Sequence, residues 1–472
     1  MNRRRLTFAL LAAAGMLAAL PQAALAHGLA VREDLPIPKW LFVYAAIAVL
    51  VASFVGLALR WPKPRLEQPA ERRAGSVPKL LDPLCGAIGI ALFVLLVYAG
   101  FAGSQTATNN LLPTFVFVIF WVALPVLSLL VGDVFQAFNP WRALARATAA
   151  IATKVRRGGL PAPMAYPAAL GRWPAAAGIL AFAWVELVYS GRTDPSSLAV
   201  LALAYAAVQL VGMSLYGIDA WNRYGDAFGV YFGLFARMSP LRWERGALYR
   251  CLPLAGVTSL EPVPGTVALL CTMIGTTSFD GFSAGAAWGE IAPRMTDSLR
   301  NIGLSQSAAL ETAFTLGLVI IVALVAGLYA LGVRGMRNAS RIELSTDQLA
   351  ARFAHSLVPI ALAYLVAHYF SLLAYQGQAM AFLVSDPLGS GANVFGTAGS
   401  TIDYTWISAN AIWYVQVGAL VLGHVAGLIL AHDRALVTFE GGRTAARTQY
   451  WMLAVMIAFT SLGLWLLSAA NA

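Results

Sequence analysis

Ten apolar stretches punctuate the chain, at about 40–60, 84–103, 112–131, 174–190, 197–217, 265–283, 307–332, 352–376, 407–432 and 447–468. Each is close to the ~20 residues an α-helix needs to cross a hydrocarbon core about 30 Å thick. Polar, Gly- and Pro-bearing connections separate them. The pattern predicts an all-α fold, a polytopic membrane helical bundle of about ten transmembrane helices, with residues 27–472 forming a single membrane domain.

Two connections carry helical patterns of their own. "GDVFQAFNPWRALARATAAI" and "RYGDAFGVYFGLFARMSP" mix aromatics, Arg and small residues, and predict one or two interfacial or partly re-entrant helices. Each contains Gly-Asp-x-Phe, at Gly132–Phe135 and at Gly225–Phe228. The Gly- and Ser-rich stretch 377–406 reads as a flexible cap over one face.

The first 26 residues have a basic start at Arg3–Arg5, a small-residue apolar run and an Ala24-Leu25-Ala26 end. That is the pattern of a cleavable signal peptide. Cleavage leaves His27 as an N-terminal residue whose α-amine and imidazole could chelate copper or zinc. Lys and Arg concentrate in alternate connections, 61–83, 139–173, 218–264, 333–351 and 433–446. By the positive-inside rule these face the cytoplasm. The expected location is therefore the cytoplasmic membrane, multi-pass, with both mature termini on the extracytoplasmic side. The 284–306 connection, with Arg294 and Arg300, fits least well.

Composition agrees with the pattern. The 472 residues are 59% hydrophobic and only 11% charged, against about 25% charged in soluble domains. The lipid bilayer is thus the first expected partner. The net charge of +10 is scattered between spans with no basic stripe interleaved with aromatics, which argues against nucleic-acid binding. Cys85, Cys251 and Cys271 are odd in number and share no metal-site spacing.

Ionisable side chains at membrane depth are costly and usually functional. Glu186, Asp280 and Asp226 are the candidate acids, while Asp133 and Glu311 fit ordinary capping or solvated carboxylates. Four of the five histidines, His355, His368, His424 and His432, fall in two consecutive spans, with Asp433 beside the last. His355, His432 and Asp433 form one expected set near the membrane boundary, to which Asp226 or Asp133 could add a carboxylate. His368 and His424 form a deeper one. Either set suits a divalent zinc, iron or manganese ion. A buried histidine can equally serve only to hydrogen-bond across helices. Stacked bis-histidine haem is disfavoured: His355 and His368 lie thirteen residues apart, roughly 20 Å along the axis and about 140° around it.

"VGDVFQAFNPWRALARA", "GTTSFDGFSAGAAW", "AHYFSLL", "WYVQVGALVLGHVAGLILAHDRAL" and the start "AHGLAVREDLPIPKW" resemble bacterial multi-pass membrane proteins known as fenitrothion hydrolases. The resemblance implies hydrolysis of organophosphate esters, a small-molecule substrate and a second, homologous membrane subunit. Such hydrolysis needs an activated water, which a bound metal would supply. The chain lacks the His-x-His pair of soluble phosphotriesterases. The residues by themselves suit equally a membrane transporter or metal-handling protein using buried His, Asp and Glu, and less well a haem-bearing electron carrier.

Overall fold

Apolar helices of membrane-spanning length dominate the computed structural model, which describes residues 39–67, 71–155, 161–244, 246–340, 342–439 and 442–470. The expected signal peptide and His27 lie outside these residues. The helices that matter here are α1 (Lys39–Arg60), α2 (Leu81–Ala102), α3 (Leu111–Val131), α4 (Pro140–Val155), α5 (Trp173–Leu187), α6 (Pro195–Tyr216) and α7 (Ala227–Ala236). They continue with α8 (Thr266–Ser283), α9 (Ala286–Asn301), α10 (Gln306–Ser340), α11 (Val358–Gln376), α12 (Ala409–Thr438) and α13 (Gly442–Ala470). The chain is a multi-pass membrane helical bundle.

Eight described helices are long and apolar enough to cross a membrane, and α8 with α9 would make a ninth. Two of the ten expected spans therefore depart from simple crossings. The stretch 174–190 forms α5, whose 15 residues cover only about 22 Å at 1.5 Å per residue. Pro174 fixes its start, and the buried Arg172 just before it donates to Glu261 O and Thr266 Oγ1 at 2.9 and 2.7 Å. The stretch 265–283 forms α8, which ends where the chain turns by 89° into α9. Trp288, Ala292 and Thr296 recur every four residues as the buried face of α9, with Glu290, Arg294, Asp297 and Arg300 on its other faces. This amphipathic helix explains why the 284–306 connection breaks the charge alternation.

The basic connections gather at one end of the bundle. Arg72–Ser76 from the 61–83 connection joins Leu241–Glu244 and Ala247–Arg250 from the 218–264 connection in a small antiparallel sheet with the 72–76 strand at one edge. This is the one departure from an all-helical chain among the described residues. Asp433 accepts hydrogen bonds from Trp61 Nε1 and the backbone N–H groups of Arg65, Leu66 and Glu67 at 2.7–3.1 Å. Arg434 reaches Glu67, Arg352 O and Thr258 O. The remaining connections meet at the other end, where Ser104 N donates to Leu388 O at 2.7 Å and Ser190 N to Glu311 at 3.0 Å. The alternation read from charge is thus the alternation of the chain between two ends.

The stretch 377–406 is held by these contacts rather than lying loose. Ala379 and Leu383 pack with Leu111, Leu112 and Leu198, and Asp386 accepts from Ser390 N and Gly391 N. Of the two expected interfacial helices, α4 carries Arg146 and Lys154 on exposed faces. By contrast, α7 is buried through Phe228, Tyr231, Phe232 and Phe235. The shared Gly-Asp-x-Phe is a helix start in both places: Asp133 accepts from Gln136 N, and Asp226 from Gly229 N.

Helix α8 is the most enveloped element, with every residue from Leu269 to Phe279 buried. It carries Thr276, Thr277 and Ser278, whose hydroxyls donate back to carbonyls three or four residues earlier. This is how a hydroxyl is accommodated at membrane depth without an external partner. α5 and α11 pack on this helix from two directions.

Candidate functional site

Three helices bring ionisable groups together. Glu186 stands in the last turn of α5, Asp280 in the last turn of α8 and His368 in the middle of α11. His368 Nε2–H donates to Asp280 Oδ2 at 2.8 Å, each side chain being about one-fifth exposed at 21% and 22%. Glu186 is an electrostatic neighbour of Asp280, and Tyr369 stands beside both carboxylates. Arg192, in the turn after α5, is within range of both acids. Tyr231 from α7 faces Glu186 and stacks on Trp121 with ring centroids 4.8 Å apart. The set therefore joins two carboxylates, one imidazole, two phenols and one nearby guanidinium.

The other ring nitrogen of His368 turns toward Gly281. A side chain at that position would place its Cβ 3.5 Å from Nδ1. Both residues line a cavity of about 20 Å³ with Thr277, Ser278 and Tyr364, room for about one water molecule. Glycine at 281 keeps this space open.

The expected histidine sets do not form shared centres. His355 Nδ1–H donates to Arg352 O at 3.0 Å and His424 Nδ1–H to Leu420 O at 2.7 Å, leaving the Nε2 atom of each buried without a partner. His432 has Gln449 Oε1 at 2.8 Å from Nδ1 and Trp61 O at 3.0 Å from Nε2, so neither ring nitrogen is free for a metal. Asp433 spends its oxygens on the Trp61 indole and the backbone N–H groups of residues 65–67. Asp226 is likewise filled, accepting from Asn139 Nδ2, Trp141 Nε1, Tyr205 OH and Gly229 N at 2.7–3.2 Å. Both acids fix structure. His368 pairs with Asp280 rather than with His424.

Among the described residues, no three His, Cys, Asp or Glu side chains are grouped so that they could hold a metal ion. Among the described residues the expected donor sets are thus not brought together around a common point. Sequence reasoning picked out Glu186, Asp280 and His368 separately but missed their meeting. It also missed Tyr369 and Tyr231; the only available hint was a tyrosine directly after His368 in "AHYFSLL". No protein-family model, no curated protein and no solved structure matches this chain.

Proposed function

We propose that this protein is a proton-coupled membrane transporter whose titrating centre is Glu186, Asp280 and His368. The observation that carries this reading is the 2.8 Å contact between His368 and Asp280, with a second carboxylate beside it and at membrane depth. Ionisable groups placed there commonly mark proton or ion pathways. With both acids ionised and the imidazole protonated, the three groups carry one negative charge in a poor solvent. One exchangeable proton neutralises them, and Arg192 can compensate when it leaves.

The local backbone supports the same reading. α8 stops at the 89° turn one turn beyond Asp280, and α5 stops one residue beyond Glu186. Interrupted helices at membrane depth are a recurring way of building transport sites. On the positive-inside rule, this reading puts the basic end of the bundle on the cytoplasmic side.

The test is a pH jump applied to vesicles containing the reconstituted chain on a solid-supported membrane. The expected result is a transient charge displacement that disappears in Glu186→Gln and in Asp280→Asn and persists in Asp133→Asn. Equal currents in all four proteins would exclude the centre.

A second reading has one observation in its favour. An imidazole held by a carboxylate, with a water-sized space at its other face, is also the arrangement of a general base. Hydrolysis of a phosphotriester by this pair would be metal-independent, and would be lost in His368→Gln whether or not a chelator is present.

A further inference from the structure

A cavity of about 960 Å³ runs between α2, α3, α5 and α6, and its wall is almost wholly apolar. It is as large as the upper range of small-molecule pockets, about 300–1,000 Å³. α5 and α6 follow one another in sequence yet lean on different neighbours: α5 packs on α7 and α8, and α6 on α2 and α4. The cavity is the gap this leaves. Its wall along α3 extends from Leu112 to Leu130, almost the whole of that membrane-spanning segment. Several lining residues, among them Leu127, Ala181, Leu201 and Val208, are also exposed, so the space opens sideways where lipid lies.

Few polar groups interrupt the apolar wall, and one of them is an amide. Gln209, only 2% exposed, lines the cavity. Its Oε1 accepts from Trp221 Nε1 at 2.8 Å, which fixes the amide orientation. Its Nε2 donates no hydrogen bond to any described residue. An oxygen arriving in the cavity from a ligand would supply the acceptor that this amide lacks. The nearby Tyr205, Trp141 and Asn139 donors are all committed to Asp226, so Gln209 is the donor left for such a ligand. It lies fourteen residues into α6, about 21 Å along its axis, and so nearer the end of the cavity where Trp141 and Trp221 stand.

We infer that the cavity is a binding site for one acyl chain of a glycerolipid, its ester carbonyl accepting from Gln209 Nε2 and its chain lying along α3. A long slot parallel to the spans, open to the bilayer and with a single amide donor near one end, matches a chain whose only polar atoms near its head are ester oxygens. A compact polar solute would find no second partner there.

The test uses the full chain in vesicles of phosphatidylethanolamine, a fraction of which carries a diazirine at mid-chain. After irradiation, adducts are expected on the interior residues Phe120 and Phe182 as well as on outward-facing residues such as Val94 and Ile320. Ala204→Trp, or Val208→Phe if that variant does not fold, fills the slot and should lower the interior labelling several-fold while the outward labelling stays constant. Gln209→Glu keeps the acceptor for Trp221 and removes the donor, and should lose several-fold of the phospholipid retained through detergent purification, read by native mass spectrometry. Adducts confined to outward-facing residues, or interior adducts indifferent to the slot-filling variants, would overturn the assignment. So would recovery from the purified protein of an isoprenoid in place of a glycerolipid.

Discussion

His368 Nε2 and Asp280 Oδ2 lie 2.8 Å apart, joining α11 to the last turn of α8 just before the chain bends. A charge-assisted bond of this kind contributes about 1.5–3 kcal/mol when it is shielded from water, and the one-fifth exposure of both side chains moves the expectation to the lower end. Asp280→Asn and His368→Ala are therefore each expected to lower stability by about 1–2 kcal/mol. The double variant should lose less than the sum of the two. Thermal unfolding of the four proteins in one detergent checks this, and strict additivity would show the pair to be uncoupled.

Asp433 should behave differently, because it is a structural tie. Four donors converge on its two oxygens. Asp433→Ala strands the buried Leu66 amide and three half-buried donors, and is expected to destabilise by about 2–3 kcal/mol. Its first sign should be loss of hydrogen-exchange protection in residues 61–67. The charge displacement proposed for the Glu186 centre should survive in whatever fraction of the variant folds.

Gly89 gives a purely steric prediction. A Cβ at this position would lie 1.9 Å from Phe138 O, a backbone atom that cannot swing aside. Gly89→Ala must push α2 away from the 134–138 turn, and overpacking of this kind typically costs about 1–3 kcal/mol. Gly56→Ala, with nothing within 4 Å of the added atom, is the matched control and should leave the unfolding midpoint unchanged or slightly raised.

The loop at the end opposite the sheet has a pH dependence with a definite sign. The Thr405 hydroxyl and backbone N–H, at 2.6 and 2.7 Å from Asp403 Oδ1, hold its carboxyl below the usual carboxylate range. A group depressed on folding stabilises above its ordinary value and loses that effect as the pH falls through the depressed one. Exchange at the Thr405 amide should therefore be slow at neutral pH after correction for intrinsic rates, and should speed up on acidification. In Asp403→Asn the corrected rate should be higher at neutral pH and nearly flat with pH.

Sequence periodicity was a good guide wherever a helix could be recognised by its own residues. Hydropathy located the segments that became α1, α2, α3, α6 and α10 to α13 to within a few residues at most ends, because a lipid-facing helix must be apolar along its whole length. The alternation of Lys and Arg told which connections share an end. What it could not tell was where a span stops short. The break after Ser283 leads into an amphipathic helix that leaves at 89°, and α5 looked two residues longer than its α-helical hydrogen bonds extend.

The site was legible only in its parts. Two histidines on neighbouring helices suggested a shared centre, but which neighbour an imidazole meets depends on helix rotation and depth, and neither is written in spacing alone. His368 turned to Asp280 on α8, and His424 back to its own carbonyl at Leu420. Asp226 and Asp433 looked like membrane-depth acids and are backbone and side-chain acceptors, a distinction that appears only once their donors are in place.

The most direct test of the central claim is the infrared difference spectrum of the reconstituted protein between acid and alkaline pH. If Glu186 and Asp280 share an exchangeable proton with His368, the spectrum contains a protonated-carboxyl band that is lost in Glu186→Gln, shifted in Asp280→Asn and unaltered in Asp226→Asn. If the spectra of the wild-type protein, Glu186→Gln and Asp280→Asn superimpose, the two acids do not exchange a proton and the transporter reading fails.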